Sequence, residues 1–278
     1  MERPLETRAT QPRPPWTVKY DGRCSRCGTA LRRGDVAVYE RRSKTIRCVE
    51  CPAGSIPPPE TPVDPGIAGA SARREYERRS ARDQAALRER FGRFGGLASA
   101  LAGERHSTRA WAKGAFGEEV LGAVLSGRSD VRALHDRRVR GTKGNIDHLV
   151  VAPAGVFVID AKHYRGTIRV RDKGGFFRSD VRLYVGRRDR SKLAEGLRWQ
   201  MEAVVSALAA TGIAPPPVTP VLCFIDGDWP LLFPPSHYKG VRLEGPISLQ
   251  QLMTKVQVLD AAATDALART LAVAFPPK

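Results

Sequence analysis

The chain is short of acid. Its 278 residues hold 29 Asp and Glu against 46 Lys and Arg, a formal charge of +17. Small neutral ligands thereby become weaker first guesses, and polyanions such as nucleic acid or an anionic membrane surface are favoured. Long apolar runs are also missing. The longest, around 149–159, is broken by Pro153 and Gly155, well short of the roughly 20 residues of a membrane span. The opening MERPLETRATQPRPPW has no apolar core of the kind a secretory leader needs, so a cytoplasmic location and no membrane partner are expected. Cysteine is scarce at five, but four of the five are paired.

Those four, Cys24-x2-Cys27 and Cys48-x2-Cys51 with twenty residues between the pairs, have the spacing of a closed four-thiolate zinc site. Each pair bends back so that two sulfurs reach one ion, which leaves no open position for chemistry. So small a module has little core, and bound zinc would supply part of its folding free energy. DVAVYE suits a β-hairpin between the knuckles. The module's arginines suit nucleic acid, and a protein partner or a purely structural role is an equal alternative.

Composition then divides the chain. A zinc-ribbon-like module is expected at 17–54, a Pro/Gly-rich linker at 55–70, a basic, solvated helical connector at 71–105, and one domain at 106–278 with its core at about 111–225. Within that domain the spacing of Phe116, Val120, Leu121, Val124 and Leu125 predicts a helix over 114–126. VRALHDRRV, NIDHLVVA, GVFVIDAKHY and GTIRVR read as strands, and GFFRSD with VRLYVG as a further hairpin. A second amphipathic helix at 191–212, a buried strand VTPVLCFID, an edge strand VRLEG and small C-terminal helices follow. One of these is expected to open with a Ser248/Gln251 capping box. The order gives a mixed α/β fold.

The chemistry concentrates in GNIDHLVVAPAGVFVIDAKHY. A turn at Pro153-Ala154 pairs residues whose numbers sum to 307 and sets Asp147 opposite Asp160, and a turn at Ala154-Gly155 sets it opposite Lys162. In either register Asp147, Asp160 and Lys162 share one face. Facing carboxylates repel unless a divalent cation lies between them, and hard oxygen ligands suit Mg2+ or Mn2+. Glu118 or Glu119 on the preceding helix offers a third carboxylate, with Gly114 and Gly117 allowing close approach to the sheet. Lys162 is placed to orient a water. His148 points to the opposite face and reads as structural. His163 and Tyr164 are placed to line a groove, Cys223 reads as a buried thiol, and Asp226 and Asp228 as turn residues.

GAFGEEVLGAVL followed by GNIDHLVVAPAGVFVIDAKHYRG resembles the NERD (nuclease-related) domain, itself similar to the PD-(D/E)XK nuclease superfamily. The resemblance covers roughly 111–225. It implies a restriction-endonuclease-like core of helix, mostly antiparallel or mixed sheet, helix and strand. It implies metal-binding carboxylates at Glu118, Asp147 and Asp160, a water-orienting Lys162, and a matching Gln200 on the later helix. Ile146 stands where the superfamily's signature has proline. The resulting expectation is a Mg2+- or Mn2+-dependent phosphodiesterase that cleaves nucleic acid, DNA in the first instance, with a separate structural Zn2+. Residues 136–200 carry 16 Lys and Arg against 7 Asp and Glu, so Arg137, Arg138, Arg140, Lys143, Arg165, Arg169 and Arg171 are expected to hold the backbone. The competing expectation is a non-catalytic nucleic-acid-binding or adaptor protein that keeps the nuclease scaffold and docks a partner through the zinc module.

Overall fold

In a computed structural model the described residues are 16–25, 29–40, 45–49, 63–92, 105–142, 144–175, 178–210 and 215–278. They fall into two compact units, Met1–Pro62 and Val63–Lys278. In the first, β1 (Trp16–Thr17), β4 (Val36–Glu40) and β5 (Thr45–Cys48) make an antiparallel sheet, and β2 (Gly22–Arg23) pairs with β3 (Ala30–Leu31). Val18, Cys24, Leu31 and Ala37 form its small core. The expected DVAVYE strand is β4. Cys27 and Cys51 lie outside the described residues.

The second unit is an α/β structure built on a six-stranded sheet. Its strands are β6 (Arg132–Arg138), β7 (Asn145–Ala152), β8 (Gly155–Lys162), β12 (Val218–Phe224), β14 (His237–Tyr238) and β15 (Val241–Glu244), in the order β14-β15-β12-β8-β7-β6. β8, β12 and β15 run parallel and the rest antiparallel. Near-continuous apolar runs in β7, β8 and β12 follow from burial on both faces. On one face Leu149, Val151, Val156, Val158, Leu222 and Phe224 pack with Leu197, Val204 and Leu208 of α3 (Leu193–Ala209) and with Ala268 and Leu271 of α5 (Ala261–Ala274). On the other, Val150, Phe157, Ile159, Val221 and Cys223 meet Leu121 and Leu125 of α2 (His106–Ser126) and Leu249 and Met253 of α4 (Pro246–Thr254).

Several expectations shift. The VRLYV strand, β10 (Val181–Val185), pairs with β9 (Gly166–Asp172) rather than with GFFRSD, and with β11 (Arg188–Asp189) and β13 (Gly227–Asp228) it makes a separate four-stranded sheet. VRLE is not the sheet edge, because β14 lies outside it. Ser248 is the third residue of α4, not its cap: the helix starts at Pro246, and the Ser248 hydroxyl accepts the Gly245 N–H at 3.0 Å. The "connector" helix α1 (Ala70–Phe91) belongs to the second unit and packs on α2. Ala68, just before it, sits so close to Gly122 that a Cβ there would lie 2.4 Å from the alanine's own. Weak amphipathicity hid this docking, because it runs through small residues and polar contacts rather than an apolar stripe.

Candidate active site

The β7–β8 hairpin turns at Pro153-Ala154, with Ala152 opposite Gly155 and His148 opposite Ile159. Gly155, at φ 129°, is required there, since a Cβ would lie 2.5 Å from the Pro217 carbonyl oxygen. One step beyond His148 and Ile159 the same register brings Asp147 and Asp160 face to face, the first of the two alternatives. The Asp147 carboxyl is pushed well above the ordinary carboxylate range. Burial is the main cause, followed by the charges of Glu118 and Asp160, with Lys162 opposing. The Lys162 ammonium ion-pairs with Asp160. Burial pulls its pKa down, but Asp160 and Asp147 outweigh that and leave it raised.

Glu118 reaches this pair from α2. Its carboxyl is lifted to about 7: burial raises it, Lys162 opposes, Asp160 and Asp136 raise it further, and a hydrogen bond with the Gly69 backbone lowers it. Glu119 instead ion-pairs with Arg73, so of the two adjacent glutamates Glu118 is the one coupled to the site. Gly117 permits the approach as expected, since a Cβ there would come within 3.0 Å of the His163 Cβ, whereas nothing crowds Gly114.

A second set of polar groups behind these acids was not expected from sequence. Asp136 is buried at φ 46°. It accepts the Ser71 N–H at 2.8 Å, the Ser71 hydroxyl at 2.7 Å and the Asn145 side-chain amide at 2.9 Å. The same amide donates to Asp147 at 3.4 Å. The first turn of α1 thus braces the site through Gly69, Ser71 and Arg73. His148, on the far face, is buried, with its Nδ1 2.8 Å from that of His135. Burial holds both rings below the usual histidine range, His135 at about 4.

Around this centre, Gln200 lies on α3 with its Oε1 buried and unpaired. His163 Nε2 lies 2.6 Å from Asp226, which also meets Arg165 at 3.4 Å. Asp226 is therefore more than a turn residue, a role invisible without the fold because 63 positions separate it from His163. Cys223 is a buried thiol, its pKa raised by burial.

The basic residues divide. Arg138, Arg140, Arg165 and Arg171 are exposed, and Arg169 is half-buried. Arg169 and Arg171 lie on the face of β9 opposite the buried Ile168, paired with Tyr184 and Arg182. Arg137 is a correction: it is 0% exposed, and its guanidinium donates to the Asp64 carbonyl at 2.9 Å, so it braces the fold and offers nothing to a phosphate. Lys143 lies outside the described residues.

Among the described residues no three His, Cys, Asp or Glu side chains converge closely enough to hold one ion as they stand. The donor chemistry nonetheless suits a hard divalent cation. Glu118 Oε2 is buried without a hydrogen-bond partner, and the negative charges of Glu118 and Asp160 beside Asp147 are ones a cation would offset. In the first unit, Cys24 is buried and its Sγ accepts the Cys48 N–H at 3.3 Å, a donor arrangement that suits a thiolate. Among the described residues no helix is long and apolar enough to cross a membrane. No curated protein and no solved structure matches the chain. A family model does: residues 113–225, which carry Glu118, Asp147, Asp160, Lys162 and Gln200, match the nuclease-related domain, NERD.

Proposed function

We propose that the second unit is a metal-dependent nuclease that hydrolyses phosphodiester bonds of DNA. The observation that carries this reading is the facing Asp147–Asp160 pair with buried Glu118 and half-buried Lys162, inside the stretch matched by the nuclease-related model. A partly buried cluster of mutually repelling acids destabilises a fold, and a protein that only binds nucleic acid has no use for it. Glu118, Asp147 and Asp160 would hold Mg2+ or Mn2+, which supplies Lewis-acid polarisation of a phosphoryl oxygen and a more acidic water. Lys162 stays cationic and is placed to orient the attacking water and offset charge developing on the phosphate. Gln200 adds an unpaired acceptor on the helix covering the same face. Arg138, Arg140, Arg165, Arg169 and Arg171 contribute sequence-independent phosphate contacts.

The scaffold reading draws on one observation: Lys162 occupies Asp160, and the three acids do not converge as they stand. Labelled single- and double-stranded DNA and RNA incubated with Mg2+, Mn2+ or EDTA separates the two. Cleavage that needs the metal supports the nuclease, and binding without cleavage under every metal supports the scaffold.

For the first unit we propose a structural zinc at Cys24, Cys27, Cys48 and Cys51, serving nucleic-acid or protein docking. Protein purified without chelator is expected to carry about one zinc per chain, and Cys24→Ser to lose it while cleavage persists. Zinc-free, folded wild-type protein would contradict the assignment.

A further inference from the structure

Between β13 and β14 the chain reads WPLLFPPS. Leu231, Leu232 and Phe233 are 100%, 78% and 95% exposed. Single exposed leucines are ordinary, but three consecutive large apolar side chains held in water mark an interaction surface. The tip is held stiffly. Pro230 precedes it, Pro234 and Pro235 follow, and Phe233 sits at φ 51°, a conformation that an aromatic residue seldom adopts. At its base the Trp229 ring meets Phe224 at 6.3 Å between centroids, and Phe224 is the register partner of Lys162.

At the far end of the same loop, Tyr238 and Lys239 line a cleft of about 510 Å³ together with Arg182, Arg190, Lys192 and the acids Asp180, Asp189 and Glu195. Asp180 and Asp189 neutralise Arg182. Arg190 lies over the Tyr164 ring at 4.3 Å, and its Nε is buried without a hydrogen-bond partner. Tyr164 is two residues beyond Lys162, so Arg190 of the cleft meets the chain just past the strand that carries Lys162.

We propose that this surface is a nucleic-acid-binding flank of the site: Arg190, Lys192 and Lys239 take backbone phosphates, and the Leu231-Leu232-Phe233 tip wedges against unstacked bases. The proposal rests on the nuclease reading and names how its substrate is held. A stiff apolar tip loses little freedom on insertion, and apolar wedges between base steps are a recurrent way to distort a duplex. An anionic membrane would call for cations around the tip itself. Residues 229–237 contain no Lys or Arg, and the cations lie instead in the cleft.

The test uses the full chain in Ca2+ or EDTA, with duplex and single-stranded DNA carrying 2-aminopurine and with vesicles rich in phosphatidylserine. Replacing Leu231, Leu232 and Phe233 together by serine touches no buried contact. It is expected to lower DNA affinity about tenfold and to abolish the 2-aminopurine fluorescence rise seen with wild type. Lys192→Ala with Lys239→Ala should flatten the dependence of log affinity on log salt by about two units. An unchanged affinity and fluorescence response in the triple-serine protein, with cleavage intact, overturns the wedge and leaves the nuclease standing. Vesicle binding lost in that variant with DNA affinity unchanged overturns it in favour of a membrane. Wild-type protein that binds no nucleic acid overturns both readings.

Discussion

Asp160→Ala is expected to lower metal-dependent cleavage by on the order of a hundred- to a thousandfold, with DNA affinity in Ca2+ close to wild type. Lys162→Ala should fall by a similar factor. On the proposed reading binding would draw on phosphate contacts spread over Arg138, Arg140, Arg165, Arg169 and Arg171, whereas Asp160 and Lys162 would act on charge that develops only as the phosphorus–oxygen bond breaks. The two variants differ in one respect. Removing Lys162 leaves Asp160 facing Asp147 without its ammonium partner, so that protein should need more Mg2+ to reach its residual rate only if the lysine also shapes the metal site. Rates measured across a metal titration, beside affinities measured in Ca2+, give both numbers. A folded Asp160→Ala protein that cuts at the wild-type rate would remove Asp160 from the mechanism.

Stability should fall with rising pH in metal-free protein, and a divalent cation should restore it. Glu118 and Asp147 both have folded-state pKa values above their ordinary ones. Their stabilising, protonated forms are therefore fully present below the unfolded pKa and are lost as pH rises through the folded value. For Glu118, lifted from 4.5 to about 7, the loss builds up between those two values to on the order of 3 kcal/mol, of which about 1 kcal/mol falls above pH 6.5. The histidine pair slopes the other way. His135 and His148 are held neutral, so they destabilise the fold only as pH drops below the unfolded histidine pKa of about 6.5. Thermal denaturation in EDTA between pH 6.5 and 8 therefore isolates the acids. Glu118→Gln and Asp147→Asn are each expected to raise Tm at pH 8, by several degrees, and to flatten the pH dependence while losing activity. A wild-type Tm that is flat over that interval and indifferent to Mg2+ would mean that the acids are not strained against each other.

What could be read in the sequence was local. Side-chain alternation puts Asp147, Asp160 and Lys162 on one face in either of the two registers the sequence allows, and the choice between them needed the fold, where Gly155 at positive φ packs against the Pro217 carbonyl. The strands over 132–162 and the helix at 193–209 declare themselves through unbroken apolar pattern. The groups that hold the acids do not. Ser71 and Asp136 are 65 positions apart, Asp136 takes a positive φ that no pattern announces, and His163 finds Asp226 only because β12 lies beside β8. Arg137 shows the converse failure. In a run of basic residues it looks like surface, and it is buried because the Asp64 carbonyl and the small residues before α1 close over it. Charge counted along a segment says how many cations there are, not which of them reach solvent.

The first turn of α1 also decides where this protein divides. Gly69, Ser71 and Arg73 lie forty or more residues before the stretch that matches the nuclease-related model, yet their hydrogen bonds end on Glu118, Asp136 and Glu119. A piece trimmed to 113–225 would keep all the acids and lose the donors that make their burial tolerable. A cut after Pro62 leaves the donors in place, whereas one between α1 and α2 strips them away. The smallest working part is therefore longer than the matched stretch, and a gene fusion that joined other modules to this unit would have to carry 63–74 along with it.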